Sequence, residues 1–298
     1  MKTPIRYAGG KSKAYNIITE QIPQGLFHSS PERIISPFMG GGSLESRWSS
    51  ELGIEVIGYD IFHALTNFWN VLLTDSDGLA DKLSELTPTK EKYNEIKEIL
   101  LRWDSTQDML SEWKTDNYKR TPIKLDDMTA AAYYFYNYNL SYGPQYLGWI
   151  SSNEINNQNK WNRIIERIRG YKNSRLSVNE GSFDETILNH NEDFLYLDPP
   201  YYLKKDDDNK MVKGLYPSSN FDVHHTGFDH EQLRDLIHNH KGKFILSYNN
   251  CETIREYYKD FELSYPKWHI SYAYNTDKGG DIERNSKESH EILICKTN

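Results

Sequence analysis

The chain is poor in cysteine, and its two cysteines, Cys251 and Cys295, match no metal-binding or disulfide spacing. It also lacks an apolar run long enough to span a bilayer, and its N-terminus has no charged segment followed by an apolar one, as a signal peptide would. These absences predict a soluble intracellular protein with reduced cysteines and no metal site.

Positive charge is scarce as well, because 43 acidic and 35 basic residues give a formal net charge of −8. Such a chain can bind a polyanion only through a local basic surface. The clearest basic cluster lies within 160–175, and an apolar stripe at helical spacing, which includes Trp161 and Ile164, accompanies it. The cluster is either a face that contacts phosphates or an ordinary solvated helix face.

What the chain does have is an alternation of strand and helix patterns, which favours an α/β fold with a largely parallel sheet. A predicted strand at 33–36 leads through the glycine turn Pro37 to Ser43 into a helix. A second predicted strand ends in Asp60, where dinucleotide and S-adenosylmethionine (SAM) sites place an acid that binds a ribose. Glu45 occupies the position of the third glycine of the dinucleotide motif, which favours SAM.

The sequence Asp198-Pro199-Pro200-Tyr201 follows the apolar run 194–197, which predicts a buried strand that ends at the aspartate. Ligands of open α/β sheets bind at the carboxyl ends of the strands. Each proline lacks an N–H and has a fixed φ, so the Asp198 and Pro199 carbonyls are held extended without a ladder partner. One carboxylate and one rigid carbonyl then converge on the same small volume. Two acceptors beside the Tyr201 ring suit the exocyclic amine of a planar base. The alternative is a strand-ending turn with a solvated aspartate.

The N-terminal segment contains Gly10-Lys11-Ser12 but no P-loop, because Ile5 stands where that motif requires its first glycine. The pair Gly9-Gly10 can bring backbone N–H groups to an anionic ligand, or it can form a plain turn.

Further along, a helical pattern extends from His63 to about Leu101, and Asp126 is a predicted helix cap. The segment 137–159 is dense in Asn, Tyr, Ser and Gly, which indicates a functional surface loop. A polar segment between Tyr202 and Gly227 is expected to close over the site when substrate binds. Later strands are predicted at 243–248, 268–274 and 291–296, with the last two forming an antiparallel edge.

Taken together, these motifs resemble those of the Dam-type DNA adenine-N6 methyltransferases, also called the D12 class. Tyr7 to Lys11 matches the family's Trp/Tyr-Ala-Gly-Gly-Lys box, and Pro37 to Ser43 matches its Pro-Phe-x-Gly-x-Gly-Ser box. Asp60 matches the acid after the second strand, and Asp198 to Tyr201 matches the Asp-Pro-Pro-Tyr box. The boxes occur in the family's order across nearly the whole chain.

The resemblance implies a Rossmann-like SAM-dependent methyltransferase sheet with an inserted, mainly helical target-recognition domain. The implied catalytic domain is discontinuous, at 1–75 and 171–298, and the implied insert occupies 76–170. The implied cofactor-binding residues are Tyr7, Lys11, Phe38, Gly40, Asp60, Phe183 and Asp198. The implied catalytic residues are Asp198, Pro199, Pro200 and Tyr201.

The implied activity is methyl transfer from SAM to N6 of an adenine that is flipped out of double-stranded DNA. Contacts with DNA are expected from the insert, at Asn137, Tyr138, Lys160, Arg163 and Arg167. Two departures from the family pattern matter. Ser182 replaces a frequent aspartate, which leaves recognition of the cofactor's adenine open. The stretch Tyr136-Asn137-Tyr138 lacks the arginine of the family's Tyr-Leu-Asn-Arg element, which leaves the target sequence open.

Two alternatives remain. One is a SAM-dependent enzyme that acts on an RNA base or on the N4 amine of cytosine. The other is a catalytically idle DNA-binding relative, for which Ser182 is the only support. We expect a monomer that does not contact a membrane and lies in the cytoplasm of a bacterial or phage-infected cell. Membership of the family would also be compatible with a restriction endonuclease as a counterpart.

Overall fold

The computed structural model describes residues 2–7, 9–23, 25, 32–104, 121–143, 145–202, 227–267, 269–273, 284–288 and 290–297. The segment expected to close over the site lies mostly at 203–226 and therefore outside the described residues. Within the described part, no helix combines the length and the apolar character needed to cross a membrane.

The described residues form ten helices and nine strands. The helices are α1 (Tyr15–Thr19), α2 (Glu45–Glu51), α3 (His63–Thr74), α4 (Ser76–Ser84), α5 (Lys90–Asp104), α6 (Asp127–Leu140), α7 (Gln158–Arg169), α8 (Phe183–Asn189), α9 (His230–Asn239) and α10 (Glu252–Tyr257). The strands are β1 (Arg33–Ser36), β2 (Glu55–Asp60), β3 (Leu176–Glu180), β4 (Phe194–Leu197), β5 (Phe244–Asn249), β6 (Glu262–Ser264), β7 (His269–Ala273), β8 (Arg284–Glu288) and β9 (Glu291–Lys296).

Seven of the strands form one sheet in the order β3-β2-β1-β4-β5-β9-β6. The first five are parallel to one another, whereas β9 is antiparallel to both β5 and β6. The prediction of a Rossmann-like α/β sheet with an antiparallel edge is therefore confirmed. The edge itself differs from the prediction, because β7 pairs with β8 in a separate two-stranded sheet and not with β9.

The central strands are buried on both faces, which explains their nearly continuous apolar sequences. Neighbouring residues of a strand point to opposite faces, so that Ile34 and Tyr196 contribute to one apolar core and Ile35 and Leu197 to the other. Helices α1 to α7 contribute to the first core, and α8, α9 and α10 to the second. The sheet is thus a middle layer whose strand ends remain available for a site.

The predicted insert begins and ends at helix boundaries, since α3 ends at Thr74, α4 begins at Ser76 and α7 ends at Arg169. Its apolar side chains nevertheless belong to the same continuous core as the sheet, as the clustering of Leu83 with Ile34 illustrates. The division into a catalytic domain and an insert at 76–170 stays a prediction.

The helical pattern predicted from His63 to about Leu101 is confirmed, and it corresponds to the three helices α3, α4 and α5. One other prediction needs correction. The segment 137–159 is only partly a surface loop, because Asn137 to Leu140 form the buried last turn of α6. The Asp126 cap is confirmed, since its Oδ1 accepts a hydrogen bond from the Thr129 N at 2.9 Å.

Candidate active site

The order of the strands places the candidate site between β1 and β4. Strands β2 and β3 lie on one side of β1, and β4 and β5 lie on the other, so the winding of the chain reverses there. Open parallel sheets bind ligands at this switch point, beyond the carboxyl ends of the strands. The turn Pro37 to Ser43 follows β1 and Asp198 follows β4. Both predicted motifs therefore lie at the switch point.

Asp60 holds the glycine turn that follows β1. Its Oδ2 accepts a hydrogen bond from the Gly40 N, and its Oδ1 accepts one from the Phe62 N, each at 2.9 Å. Gly40 itself has a φ of +47°, a conformation that a side chain would strain. Burial raises the pKa of Asp60, and the hydrogen bonds from the backbone counter part of that rise. Each carboxylate oxygen keeps a lone pair with which it can accept from a ligand hydroxyl.

Glu45, which occupies the position of the third glycine, is buried and hydrogen-bonded inside the turn. Its Oε1 accepts from the Ser36 Oγ at 2.8 Å and its Oε2 from the Leu44 N at 3.2 Å. Burial raises the pKa of Glu45 to about 7. The side chain therefore stabilises the start of α2 from inside the protein.

Tyr7 covers the glycine turn from the N-terminal segment. A Cβ added at Gly41 would overlap the Cβ of Tyr7 and lie 2.8 Å from its Cγ. The Tyr7 ring also stacks on Tyr138, with centroids 5.6 Å apart and planes inclined by 6°. Tyr7 is thus fixed between the turn and helix α6.

Substituting Gly41→Ala is expected to lower the free energy of unfolding by about 1–3 kcal/mol, because either Tyr7 or the turn must move to make room. Gly170→Ala is the matched control, since a Cβ there meets its nearest atom at 3.8 Å, an ordinary contact. Denaturant unfolding of both variants measures the difference. Equal stability of the two variants would contradict the packing described for Tyr7.

Lys11 joins the N-terminal segment to the end of β4. Its backbone N donates to the Ser43 Oγ at 3.0 Å. Its ammonium donates to both oxygens of Asp198, at 2.7 and 2.8 Å, and to the carbonyl of Gly9 at 3.3 Å. The Lys11 side chain is only 5% exposed and that of Asp198 is 23% exposed. Asp198 is therefore part of a largely buried ion pair, and not a solvated aspartate at a turn.

The pKa values of this pair reflect both burial and mutual attraction. Burial lowers the pKa of the Lys11 ammonium, but the surrounding acidic groups, first Asp198 and then Glu291, outweigh burial and raise that pKa well above its usual value. Burial raises the pKa of Asp198, and Lys11 offsets part of the rise. Lys11 thus keeps its proton at neutral pH and holds the Asp198 carboxyl nearer its ionised form.

A second buried carboxylate, Glu291 at the start of β9, stands behind this pair. Its Oε2 lies 3.8 Å from the Lys11 Nζ and accepts from the Ser247 Oγ at 3.2 Å. Its Oε1 accepts from the Tyr201 hydroxyl at 2.5 Å. Burial raises the pKa of Tyr201, so the phenol keeps the proton that it donates. The Tyr201 ring is 6% exposed, and its centroid lies 5.4 Å from the Lys11 Nζ.

Asn249 fixes the chain just beyond the Asp-Pro-Pro-Tyr sequence. Its side-chain Oδ1 accepts from the Tyr202 N at 2.8 Å, and its Nδ2 donates to the Tyr202 carbonyl at 3.0 Å. An amide side chain thus takes the place of a neighbouring strand, at a point where Pro199 and Pro200 have no N–H to donate to one.

Three aromatic rings lie together on the other side of the turn. Phe38 stacks on Phe183 with centroids 5.6 Å apart, and Phe228 lies 5.0 Å from Phe183. Ser182, which replaces the family's frequent aspartate, has an acid as its neighbour. Its hydroxyl hydrogen-bonds the Asp184 carboxylate and lowers the pKa of that group. The structure thus brings the predicted cofactor residues together in pairs. Phe38 stacks on Phe183, and the Gly40 N donates to Asp60.

The structure does not bring the predicted DNA-binding residues onto one surface. Asn137 is fully buried, and its Oδ1 accepts from the Leu147 N at 2.7 Å. Tyr138 is also buried, against Tyr7. Neither side chain can contact DNA from where it lies, because both fill the interior behind the site.

Helix α7 does present basic side chains to solvent over a buried apolar stripe that includes Trp161 and Ile164. Lys160 is 2.5 Å from the buried carboxylate of Glu154, and Arg169 is 2.7 Å from Asp81. Among the described residues, exposed Arg163 and Arg167 have no acidic partner. The free positive charge of this helix is therefore concentrated at these two arginines.

Two exposed aromatic residues lie close together on the stretch after α6. The Tyr142 N donates to the Trp149 carbonyl at 2.6 Å, beside an antiparallel bridge between Ser141 and Ile150. The Trp149 side chain is 80% exposed and that of Tyr142 is 61% exposed. Two large exposed aromatic side chains on adjacent backbone segments can form a patch of the kind that serves as a contact surface.

Sequence reasoning missed Glu291, Asn249 and Trp149. An acid that opens an apolar strand, as Glu291 does, is usually exposed, and its 280 positions of separation from Lys11 hide their proximity. The signal for Asn249 was its place at the carboxyl end of a predicted strand, at the same edge as Asp198. No signal other than composition marked Trp149.

A family model described as D12 class N6 adenine-specific DNA methyltransferase matches residues 7–272 of the chain. No curated protein matches the chain. The matched range extends from Tyr7 through Asp198 and ends before Glu291.

Proposed function

The chain belongs to the D12 class of N6 adenine-specific DNA methyltransferases, and from this premise we propose that it transfers a methyl group from SAM to N6 of a flipped-out adenine in duplex DNA. The observation that carries the proposal is the position of Asp198 at the switch point, next to the glycine turn that Asp60 holds. The reaction requires a hydrogen-bond acceptor for the target amine close to the turn that binds the cofactor, and both lie at the carboxyl ends of neighbouring strands.

The residues at the switch point fit SAM by their chemistry. The Asp60 carboxylate keeps lone pairs for a ribose diol, and Phe38 and Phe183 supply flat apolar surface for an adenine ring. Gly40 lets a ligand approach the backbone of the turn. When it is bound, SAM supplies an electrophilic methyl group on a positively charged sulfur.

Asp198 and Pro199 prepare the target nitrogen. The lone pair of adenine N6 is delocalised into the ring, so the nitrogen is a poor nucleophile. Hydrogen bonds from its two N–H groups to the Asp198 carboxylate and the Pro199 carbonyl favour a pyramidal nitrogen with a localised lone pair. When N6 forms its bond to the methyl carbon and the carbon–sulfur bond breaks, N6 becomes positively charged. Asp198 Oδ accepts the proton that N6 then loses.

The base must leave the duplex to reach Asp198, at a cost of a few kcal/mol. Stacking on an aromatic ring returns about 1–3 kcal/mol. Tyr201 is the predicted partner, but it is buried, so stacking there requires the site to open as the base enters. Contacts with the DNA backbone must supply the remainder.

The direct test is incubation of the purified chain with methyl-labelled SAM and duplex DNA, followed by nucleoside analysis. Labelled N6-methyladenine is the expected product. Labelled N4-methylcytosine, or transfer to RNA alone, would replace this proposal with the alternative substrates. Binding of SAM without transfer to any DNA would identify the idle relative, for which the replacement of the family's aspartate by Ser182 remains the only support.

The surface proposed to meet DNA comprises Arg163 and Arg167 on α7, together with the exposed rings of Tyr142 and Trp149. Unpaired arginines suit phosphate contacts, which give affinity without sequence specificity. Exposed aromatic rings suit stacking against bases. A monomeric state and a restriction endonuclease as counterpart stay predictions.

Replacing both Arg163 and Arg167 with Gln is expected to weaken DNA binding equally on all sequences. If each contacts one phosphate, the slope of log K against log salt concentration becomes shallower by about 2. Arg169→Gln is the control, because this arginine is already paired with Asp81. Fluorescence anisotropy across a salt series measures the slopes, and a slope unchanged by the double substitution would exclude this face of α7.

A further inference from the structure

The active-site cation and the target amine compete for the same carboxylate. Lys11 donates to both oxygens of Asp198. Each Asp198 oxygen keeps a second lone pair, but the ammonium already fills one site on each oxygen and neutralises the carboxylate, so an adenine amine that binds there competes with it. The question is where the ammonium goes, because a largely buried charge without a partner is strongly unfavourable.

Glu291 offers the nearest destination. Its Oε2 is 3.8 Å from the Lys11 Nζ, beyond hydrogen-bonding distance but within reach of a small side-chain movement. A displacement of about 1 Å would bring the two atoms to the usual distance of an N–H···O bond. The oxygen already accepts from Ser247 and has a second lone pair free for the ammonium.

Resting on the proposed function, we propose that Glu291 is a positioning residue that receives the Lys11 ammonium when the target amine replaces it on Asp198. Its carboxylate also accepts the hydrogen bond of the Tyr201 hydroxyl. One group therefore positions both the Lys11 ammonium and the Tyr201 ring, which lies next to the target base in the proposed complex. The exchange keeps a cation between two buried carboxylates throughout, and it frees Asp198 without exposing Lys11 to water.

The position of Glu291 in the fold suits this role. It is the first residue of β9 and pairs with Asn249 of β5, the residue that clamps the backbone of Tyr202. Glu291 and Asn249 therefore hold the end of the Asp-Pro-Pro-Tyr sequence from two adjacent antiparallel strands. Of these two residues, only Glu291 carries a negative charge next to Lys11. The effect of removing that charge therefore distinguishes a role in positioning Lys11 from a role in packing.

The experiment separates the charge of Glu291 from its shape. Glu291→Gln keeps an oxygen for the Tyr201 hydroxyl but removes the charge that attracts Lys11. We expect kcat for methyl transfer to fall by about 10- to 100-fold, with KM for SAM within about twofold of the wild type, at a temperature at which both proteins are shown by denaturant unfolding to be folded. Glu262→Gln on β6, where the side chain is exposed, is the matched control and retains full activity.

A second arm tests the link to Lys11. In a Lys11→Met background, Glu291→Gln should cause no further loss of kcat, because no ammonium remains to be received. An equal loss in both backgrounds, or full activity of the Glu291→Gln single variant beside an active wild type, would overturn this inference and leave the proposed function intact. No methyl transfer by the wild type would overturn the proposed function and this inference together.

Discussion

Asp198→Asn is expected to lower kcat for methyl transfer to adenine by about 10³-fold. Asparagine retains one oxygen acceptor, but its amide NH₂ would confront a donor, either the Lys11 ammonium or the target amine. The loss of negative charge also removes the group that accepts the proton from N6. Single-turnover transfer of labelled methyl groups to duplex DNA measures the effect.

The same substitution leaves Lys11 with only the more distant Glu291 as a charged partner. Removing one member of a largely buried pair is costly, although the partial exposure of Asp198 reduces the effect. We expect the free energy of unfolding to fall by about 1–3 kcal/mol. Rates must therefore be compared at a temperature at which both proteins are folded.

Asp235→Asn makes the same chemical change at an exposed aspartate of α9, paired with neighbouring Arg234. It should retain wild-type transfer. Transfer by Asp198→Asn within tenfold of the wild type would contradict the role of Asp198 as the acceptor of the target amine. Loss of transfer with unchanged SAM affinity would support it.

Elements fixed by local sequence could be predicted well. Strand β1 at 33–36 and strand β4 at 194–197 are confirmed to the residue, because each is a short apolar run bounded by proline or polar residues. The cap at Asp126 is confirmed for the same reason, since capping depends on residues within one helical turn. The largely parallel character of the sheet also followed from the alternation of strands and helices.

Contacts between distant segments could not be predicted. Lys11 and Asp198 were each singled out from the sequence, but nothing in either motif indicated that the ammonium would donate to both carboxylate oxygens. Strand β8 was missed because its sequence, Arg284 to Glu288, is polar and lacks the β-branched residues typical of strands.

The error at Asn137 and Tyr138 has a specific physical origin. Polar and tyrosine-rich composition favours a surface loop on average, but composition does not reveal whether a buried amide finds partners. Here the Leu147 N satisfies the Asn137 carbonyl, and the Tyr138 ring packs flat on Tyr7. The Asn137 amide is nevertheless only half satisfied, because its Nδ2 is buried without a hydrogen-bond partner among the described residues.

Lys11→Met is expected to shift the acid limb of the pH–activity profile to higher pH. Burial raises the pKa of Asp198 and the Lys11 ammonium lowers it, so removing the ammonium raises that pKa further. Asp198 must be ionised to accept the amine. We therefore expect a loss of about 10- to 100-fold in kcat near neutral pH, with partial recovery in more alkaline buffer.

The stability of Lys11→Met should fall as the pH rises, whereas its kcat should increase. Both Asp198 and Glu291 have pKa values in the folded protein above their ordinary values, and Lys11 lowers both. A group with a raised folded pKa contributes stability below its unfolded pKa and loses it as pH rises through the folded value. Without Lys11, the free energy of unfolding should therefore decrease more steeply with rising pH than in the wild type.

This opposition separates the role of Lys11 at Asp198 from a general defect in folding. A variant that was merely unstable would lose activity and stability together as the pH rises. Lys11→Met should instead gain kcat over the range in which it loses stability, when rates and denaturant unfolding are measured in the same buffers. Lys259→Met, an exposed lysine paired with Glu256, should follow the wild type in both measurements. An acid limb that does not move in Lys11→Met would show that Lys11 does not set the ionisation of Asp198 during methyl transfer.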